Sequence, residues 1–139
     1  MNAWDHLPNA ALIDEVLESL KKHPEAWDAA WSAAWSAAWD AAWDAARNAA
    51  WDAARGEARS EAWVAAWGAA WGATQGAAWG AARDAARNAI AVLIAYDDMG
   101  ELIKQPLPHL QGLYRLDPHP AFLLFQPASL VFNQLEFKT

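Results

Sequence analysis

The chain has no cysteine, so disulfide bonds and thiolate metal sites are excluded from this protein of 139 residues. Basic residues are few: ten Lys and Arg stand against 17 Asp and Glu, giving a net charge of -7. Long nucleic acid is therefore a poor partner, because phosphate binding needs a basic surface. Proline is absent between Glu25 and Gln105, so no proline interrupts a helix there. The first residues lack a basic and an apolar segment, so we expect no secretory signal and a cytoplasmic location.

Alanine and tryptophan are abundant instead, and they are arranged in tetrapeptides. From Ala26 the sequence reads AWDA AWSA AWSA AWDA AWDA ARNA AWDA ARGE ARSE AWVA AWGA AWGA TQGA AWGA ARDA ARNA. Alanine is the strongest helix former, so the run predicts α-helix. Because a helix turns about 100° per residue, the second position of each tetrad advances by about 40° around the axis. With Trp51 and Gln75 as exceptions, this position holds Trp on one half-circle and Arg on the other, which predicts a Trp face and an Arg face.

The tetrads also show an internal duplication. Residues 26–61 align with the chain from Ala62 onward at an offset of 36 residues. This predicts two equivalent helices joined near Arg55-Gly56-Glu57, an αα-hairpin. We prefer the hairpin to a single straight helix, which would be roughly 95 Å long at 1.5 Å per residue.

The flanking segments predict shorter helices. Asn9 is expected to cap the first helix, and Pro24 to begin the next at a first-turn position. Asp117-Pro118 and Gln126-Pro127 predict the starts of two short helices near the end. The sequence thus predicts one all-α domain, a helical hairpin or bundle with short flanking helices. Its expected parts are the N-terminal helix 9–22, the repeat helices 25–98 with a break near 55–60, and a C-terminal cap 101–139, all within the domain 1–139.

A stretch of 21 residues without charge, Ala62 to Ala82, raises the question of a membrane helix. Its length suits a span, and its glycines have the GxxxG spacing of membrane helix pairs: Gly68, Gly72, Gly76 and Gly80. Alanine and glycine add little insertion energy, however, and Leu, Ile and Phe are absent, so we favour a helix buried in protein. The glycines then predict a helix-packing groove filled by Trp rings of the first helix. The alternative is a planar ligand or a partner residue in that groove.

The third position of the tetrads points to a candidate ligand site. It holds mostly Asp or Ser in the first half of the repeat, where it is suited to accept the next indole N–H, but Val or Gly in the second half. The tryptophans of the second half therefore lack a local acceptor. Trp beside Arg is a pairing that stacks planar bases and holds phosphates. The predicted ligand-binding residues, for a nucleotide-like ligand, are Trp63, Trp67, Trp71, Trp79, Arg83 and Arg87.

The other polar motifs are weaker evidence for a functional site. The segment Asp97-Asp98-Met99-Gly100-Glu101 has a DDxxE pattern, and paired carboxylates can hold Mg²⁺, but no second carboxylate cluster accompanies it, so we favour a solvated helix end. The histidines show no ligand spacing, and no nucleophile set, phosphate loop or zinc pattern is present. We therefore expect no enzyme, no metal and no cofactor. Three pairs at i,i+3 spacing predict surface ion pairs: Asp44–Arg47, Asp52–Arg55 and Asp84–Arg87.

The tetrads, followed by AVLIAYDDMGELI and HPAFLLFQPASLVFN, resemble proteins without a settled activity that are common in bacteriophages and bacterial mobile regions. The resemblance covers about Ala26 to Asn133. It implies a phage accessory protein in the cytoplasm of a bacterial host, a setting in which small proteins that counter host defence are common. The leading hypothesis is a non-enzymatic homo-oligomer that sequesters a small nucleotide-like ligand or a host protein. The competing hypothesis is a helical scaffold with every Trp in its core.

Overall fold

The computed structural model describes residues 2–35, 40–56, 59–75 and 77–138. Within these residues the chain is all-α, which confirms the predicted fold class, and no strand occurs there. The helices are α1 (Ala10–Lys22), α2 (Pro24–Trp35), α3 (Asp40–Ala54), α4 (Ser60–Thr74), α5 (Gly80–Ala95), α6 (Leu107–Leu116), α7 (Pro120–Leu124) and α8 (Gln126–Lys138), with 3-10 segments at Ala77–Trp79 and Asp97–Leu102.

Helix α5 lies at the centre of the bundle. It contacts α1, α2, α3, α4, α7 and α8, and each of its residues from Ala85 to Ile94 is buried. Its alanines let neighbouring helices approach closely, whereas Ile90, Leu93 and Ile94 supply the apolar bulk that fills the space between them. The C-terminal half of α5, from Ala89 to Ala95, is apolar on all sides, and such a segment is stable only when other helices surround it.

The tetrapeptide region forms four helices, α2 to α5, and not the two equivalent helices that the duplication predicted. The break expected near residues 55–60 is present, because α3 ends at Ala54 and α4 begins at Ser60. In one straight helix Trp31 and Trp43 would lie about 18 Å apart along the axis. Their ring centroids are 5.4 Å apart, so α2 and α3 are not one rod. The prediction of a two-helix hairpin is therefore wrong, as is the single long helix.

The starts of the flanking helices are close to those predicted. Helix α2 begins at Pro24 and α8 begins at Gln126, as expected. Helix α7 begins at Pro120, two residues later than the Asp117-Pro118 pair suggested. His119 occupies its N-cap, where Nδ1 accepts a hydrogen bond of 3.0 Å from the backbone N–H of Ala121. The imidazole of His119 thus caps α7, two residues after the start that the Asp117-Pro118 pair predicted.

Two side chains from distant segments, Asn9 and Arg59, donate hydrogen bonds to carbonyls at the C-terminal end of α5. Asn9 precedes α1 but makes no capping bond there; its Nδ2 donates instead to the carbonyls of Leu93 (2.9 Å), Asp97 (3.3 Å) and Tyr96 (3.4 Å). The predicted side-chain cap of α1 is thus wrong, because the last carbonyls of α5 are buried and need a donor.

Arg59 closes the same end from the other side. Its guanidinium bonds the carbonyl of Ile94 and both carboxylate oxygens of Asp97, at 2.7 and 3.0 Å. The first carboxylate of the DDxxE pattern therefore belongs to an ion pair. No group of three or more His, Asp or Glu suited to a metal ion occurs among the described residues.

The glycines of α4 face open space. A Cβ built at Gly68, Gly72 or Gly80 would have no neighbouring atom within 4 Å, and Val64 on the same helix is 69% exposed. Among the described residues, no side chain packs against Gly68 and Gly72 of α4 or against Gly80, the first residue of α5, so the predicted packing groove is wrong at these three positions. Gly76, the fourth member, lies outside the described residues.

Candidate functional site

Four of the predicted ligand-binding residues form one stack between α4 and α5. The Arg87 guanidinium carbon lies 4.1 Å from the ring centroid of Trp67 and 5.8 Å from that of Trp71. The Arg83 guanidinium carbon lies 3.7 Å from the Trp71 centroid. We call these four residues the Trp/Arg ladder. Trp67 pairs with Arg87, and Trp71, four residues later, pairs with Arg83, four residues earlier. This is the pairing expected of two antiparallel helices that both carry a large residue at every fourth position.

A hydrogen bond fixes the Arg83 end of the ladder. Its Nε donates to Thr74 Oγ1 at 2.9 Å, and both residues are buried. The Thr74 hydroxyl lies 3.1 Å from the carbonyls of Ala70 and of Trp71, to one of which it donates. Thr74 stands at the first position of its tetrad, where the repeat usually has Ala. The site needs its hydroxyl because a buried guanidinium requires acceptors.

Positive charge is concentrated around one carboxylate. Arg87, Arg47 and Arg83 act electrostatically on Asp84, whose Oδ1 lies 3.9 Å from Arg87 Nη1. Burial raises the pKa of Asp84 above its ordinary value of 3.8, although these three guanidiniums oppose the rise. Arg47 also pairs with Asp44, at 3.3 Å. Among the described residues, three guanidiniums thus lie around two carboxylates, in a chain that is strongly negative overall.

Arg87 is the most perturbed of these groups. Burial, and next the charge of Arg83, lower the pKa of Arg87 to about 10, against an opposing contribution from Asp84. It is therefore still protonated at neutral pH. Its Nε is buried and makes no hydrogen bond within the described part of the chain, and the same is true of Arg47 Nε. An anion that supplied acceptor oxygens here would satisfy donors that the protein leaves unsatisfied.

An aromatic cluster supports the inner end of the ladder. The Trp63 and Trp67 centroids are 4.8 Å apart, and the Trp51 centroid lies 4.9 Å from Trp67 and 5.9 Å from Trp63. Arg47 lies over the Trp51 ring, 5.2 Å from its centroid. Trp51 was an exception to the periodic placement of Trp, and its ring contacts with α4 account for its identity. Trp63 is buried in this cluster, so it supports the site without being open to a ligand.

The outer end of the ladder is open. Trp71 is 54% exposed, whereas Arg83 and Arg87 beneath it are 5% and 7% exposed. The predicted Arg face is therefore not a solvent face at these two positions, because α5 is the central helix. Trp79 lines a separate cavity. Sequence reasoning missed Arg47, Trp51, Thr74 and Asp84, although the i,i+3 spacing of Asp84 and Arg87 did predict their ion pair.

Comparisons with known proteins found no match: no family model, no curated protein and no solved structure is similar to this chain. Among the described helices, none combines the length and apolar character needed to cross a membrane.

Proposed function

We propose that this protein is a non-enzymatic binding protein that takes up a small planar anion of the nucleotide class at the outer end of the Trp/Arg ladder. The observation that carries the proposal is the pair of guanidiniums, Arg83 and Arg87, that lie against the exposed ring of Trp71, with Asp84 beside Arg87. A base stacks on an indole of this kind with a free energy of about 1–3 kcal/mol. The phosphate is held by guanidinium donors, which match its oxygens in pairs.

Asp84 has a specific role in this proposal. Its carboxylate is 48% exposed and lies 3.9 Å from Arg87 Nη1, which is longer than a good charge-assisted hydrogen bond. We infer that it balances Arg87 while the site is empty of ligand and moves toward solvent when a phosphate arrives. The phosphate and Asp84 compete for the same guanidinium, so Asp84 should lower the affinity for ligand.

Isothermal titration calorimetry with AMP, adenosine and inorganic phosphate tests the proposal. We expect saturable AMP binding that Arg87→Gln weakens by about 10–100-fold, the equivalent of one charged hydrogen bond. Asp84→Ala should tighten binding, because it removes the competing carboxylate. The matched control is Arg55→Gln, which removes an equally charged but exposed residue that pairs with Asp52. AMP binding that is absent, or that responds equally to the Arg55 and Arg87 changes, would refute the proposal.

Self-association is a second candidate function, favoured by the uncovered surface of α4. Val64, Gly68 and Gly72 follow one another at four-residue spacing, and this stripe is exposed and without charge. Small residues at this spacing let two helices approach closely. Sedimentation velocity should show an oligomer that Val64→Glu dissociates. A monomer at every accessible concentration would exclude this function and leave the ligand proposal intact.

The phage resemblance suggests a setting for both functions. In the cytoplasm of a bacterial host, an abundant protein with this site would lower the free concentration of a nucleotide-like signal, or hold a host defence protein that presents a comparable anion. Pull-down of a phosphorylated small molecule with the purified protein, followed by mass spectrometry, tests this setting. If the wild type recovers no more of such a molecule than Arg87→Gln does, the result would argue against this setting.

A further inference from the structure

A second cavity lies on the other side of the C-terminal end of α4, away from the Trp/Arg ladder. Its volume is about 870 Å³, within the range of small-molecule sites. The N-terminal segment and α1 form one wall, and the end of α4 with the following residues forms the other. The side chains that give it chemical character are Trp4, Asp14, Glu18, Lys21 and Trp79.

Asp14 is oriented by two hydrogen bonds. Trp4 Nε1 donates to its Oδ1 at 2.9 Å, and Asn2 Nδ2 donates to the same oxygen at 3.5 Å. Among the described residues, nothing donates to Oδ2. One oxygen thus anchors the carboxylate, and the other remains able to accept a hydrogen bond or balance a positive charge in the cavity.

Aromatic surface accompanies the carboxylates. Trp4 comes from the N-terminal segment and Trp79 from the 3-10 turn before α5, and both line the cavity. Indole rings attract cations through the negative potential above their faces. Trp79 is half-buried and supplies the accessible indole of this cavity, whereas Trp4 is 4% exposed and serves mainly to orient Asp14 through its N–H. The ladder gives an example within this chain, since both of its arginines lie over indole rings.

The end of α4 adds negative potential. Gly72, Ala73 and Thr74 line the cavity, and they are the last three residues of this helix of 15 residues. The C-terminal end of a helix carries about half a negative charge, and no basic residue lies in the last turn of α4 to balance it.

Two other charged groups line the cavity. Glu18 is paired with Lys22 at 3.2 Å, and both are well exposed. Lys21 is the one basic side chain among the lining residues described, and it opposes a bound cation. Because Lys22 balances Glu18, the charges that remain are those of Asp14 and of the helix C-terminus against Lys21, and they leave the cavity slightly negative. An anion is thus disfavoured, and two carboxylates between indoles are too few oxygen ligands for a hard metal ion.

We infer that this cavity binds a small organic cation, an ammonium ion with alkyl substituents, between Trp79 and Asp14 Oδ2, with Trp4 holding Asp14 in position. The site is separate from the proposed anion site and of opposite charge. Thr74 belongs to both: its residue lines the cavity, while its hydroxyl accepts from Arg83 on the other side.

Choline is a suitable probe, and 3,3-dimethylbutanol is its uncharged analogue of the same shape. We expect calorimetry to show saturable binding of choline and at least tenfold weaker binding of the alcohol. Asp14→Asn keeps an acceptor for Trp4 Nε1 but removes the charge, and should weaken choline binding at least tenfold. Lys21→Gln should tighten it severalfold. Glu15→Gln is the matched control, since Glu15 lies on the same helix but pairs with Lys104 outside the cavity.

The outcomes separate this inference from the proposed function. Equal affinity for choline and its uncharged analogue would overturn it, as would a choline affinity unchanged by Asp14→Asn. Absence of saturable choline binding would also overturn it. Arg87→Gln should leave choline binding unchanged, and Asp14→Asn should leave AMP binding unchanged. Failure of AMP to bind, with choline behaving as expected, would refute the proposed function alone.

Discussion

Replacing Gly68 and Gly72 together by alanine should stabilise the protein. Glycine in the middle of a helix costs about 0.5–1 kcal/mol relative to alanine, because the unfolded chain loses more backbone freedom. The penalty of adding a methyl group is set by its surroundings, and at these positions it would meet no atom within 4 Å. The gain in backbone entropy should therefore be realised almost in full at both positions.

The expected gain is about 1–2 kcal/mol in the free energy of unfolding for the double variant. For a chain of this size that corresponds to an increase in Tm of about 3–8 °C. Urea denaturation followed by circular dichroism, at a concentration where sedimentation shows monomer, measures it without a contribution from self-association. At higher concentration the same variant should associate less than the wild type if the α4 surfaces meet, because the added methyl groups keep the helices apart.

Gly100→Ala is the matched control. A Cβ at Gly100 would overlap Asn9 Oδ1 and lie 2.9 Å from Leu12 Cδ1, so the same substitution should destabilise the protein by about 1–3 kcal/mol. Opposite signs for the two changes would support the structure in detail. A double variant at Gly68 and Gly72 that is no more stable than the wild type as a monomer would refute an uncovered α4.

Three further changes test individual contacts. Asp97→Asn should cost about 1 kcal/mol at pH 7, and less than that in high salt, whereas the exposed Asp52→Asn should cost about half as much or less. Pairing with Arg59 lowers the pKa of Asp97 below 3.8. The ion pair therefore stabilises the protein above pH 3.8, and this stabilisation disappears as the pH falls through the pKa of Asp97 in the folded state. Comparing the acid unfolding of the wild type with that of Asp97→Asn measures it. Asn9→Ala should cost about 1–3 kcal/mol by urea denaturation, because buried carbonyls lose their donor, while the exposed Asn48→Ala should be near neutral. Trp27→Ala should cost about 3–5 kcal/mol in the same assay, since that side chain is fully buried; a loss below 1 kcal/mol would contradict its place in the core.

The features that were predicted correctly are local ones. Alanine content predicted helix, Pro24 predicted the start of α2, and i,i+3 spacing predicted the pairs Asp44–Arg47, Asp52–Arg55 and Asp84–Arg87. Each of these depends on residues within one or two helical turns, where spacing along the chain determines distance in space. Trp67, Trp71, Arg83 and Arg87 were also named together as a candidate site, but the pairing of α4 with α5 that brings them together was not predicted.

The features that were missed depend on contacts between distant tetrads. Near-identical tetrads say little about which helix packs on which, so the number of helices and the central position of α5 could not be derived from the repeat. The apolar residues Ile90, Leu93 and Ile94 were a signal for that position, since they are bulkier than the alanines of the other tetrads. The role of Asn9 had no signal at all, because its acceptors lie more than 80 residues away in the sequence.

The bond from Asn9 to the end of α5 has a consequence for how the chain acquires its structure during synthesis. Asn9, which precedes α1, bonds the carbonyl of Leu93, 84 residues downstream. This end of α1 therefore cannot reach its final position until most of the chain has left the ribosome. Contacts of such long sequence separation slow folding, because the intervening chain must be ordered first. Until then the Trp-rich helices made earlier present apolar surface, and we expect nascent chains truncated before residue 97 to aggregate or to recruit chaperones.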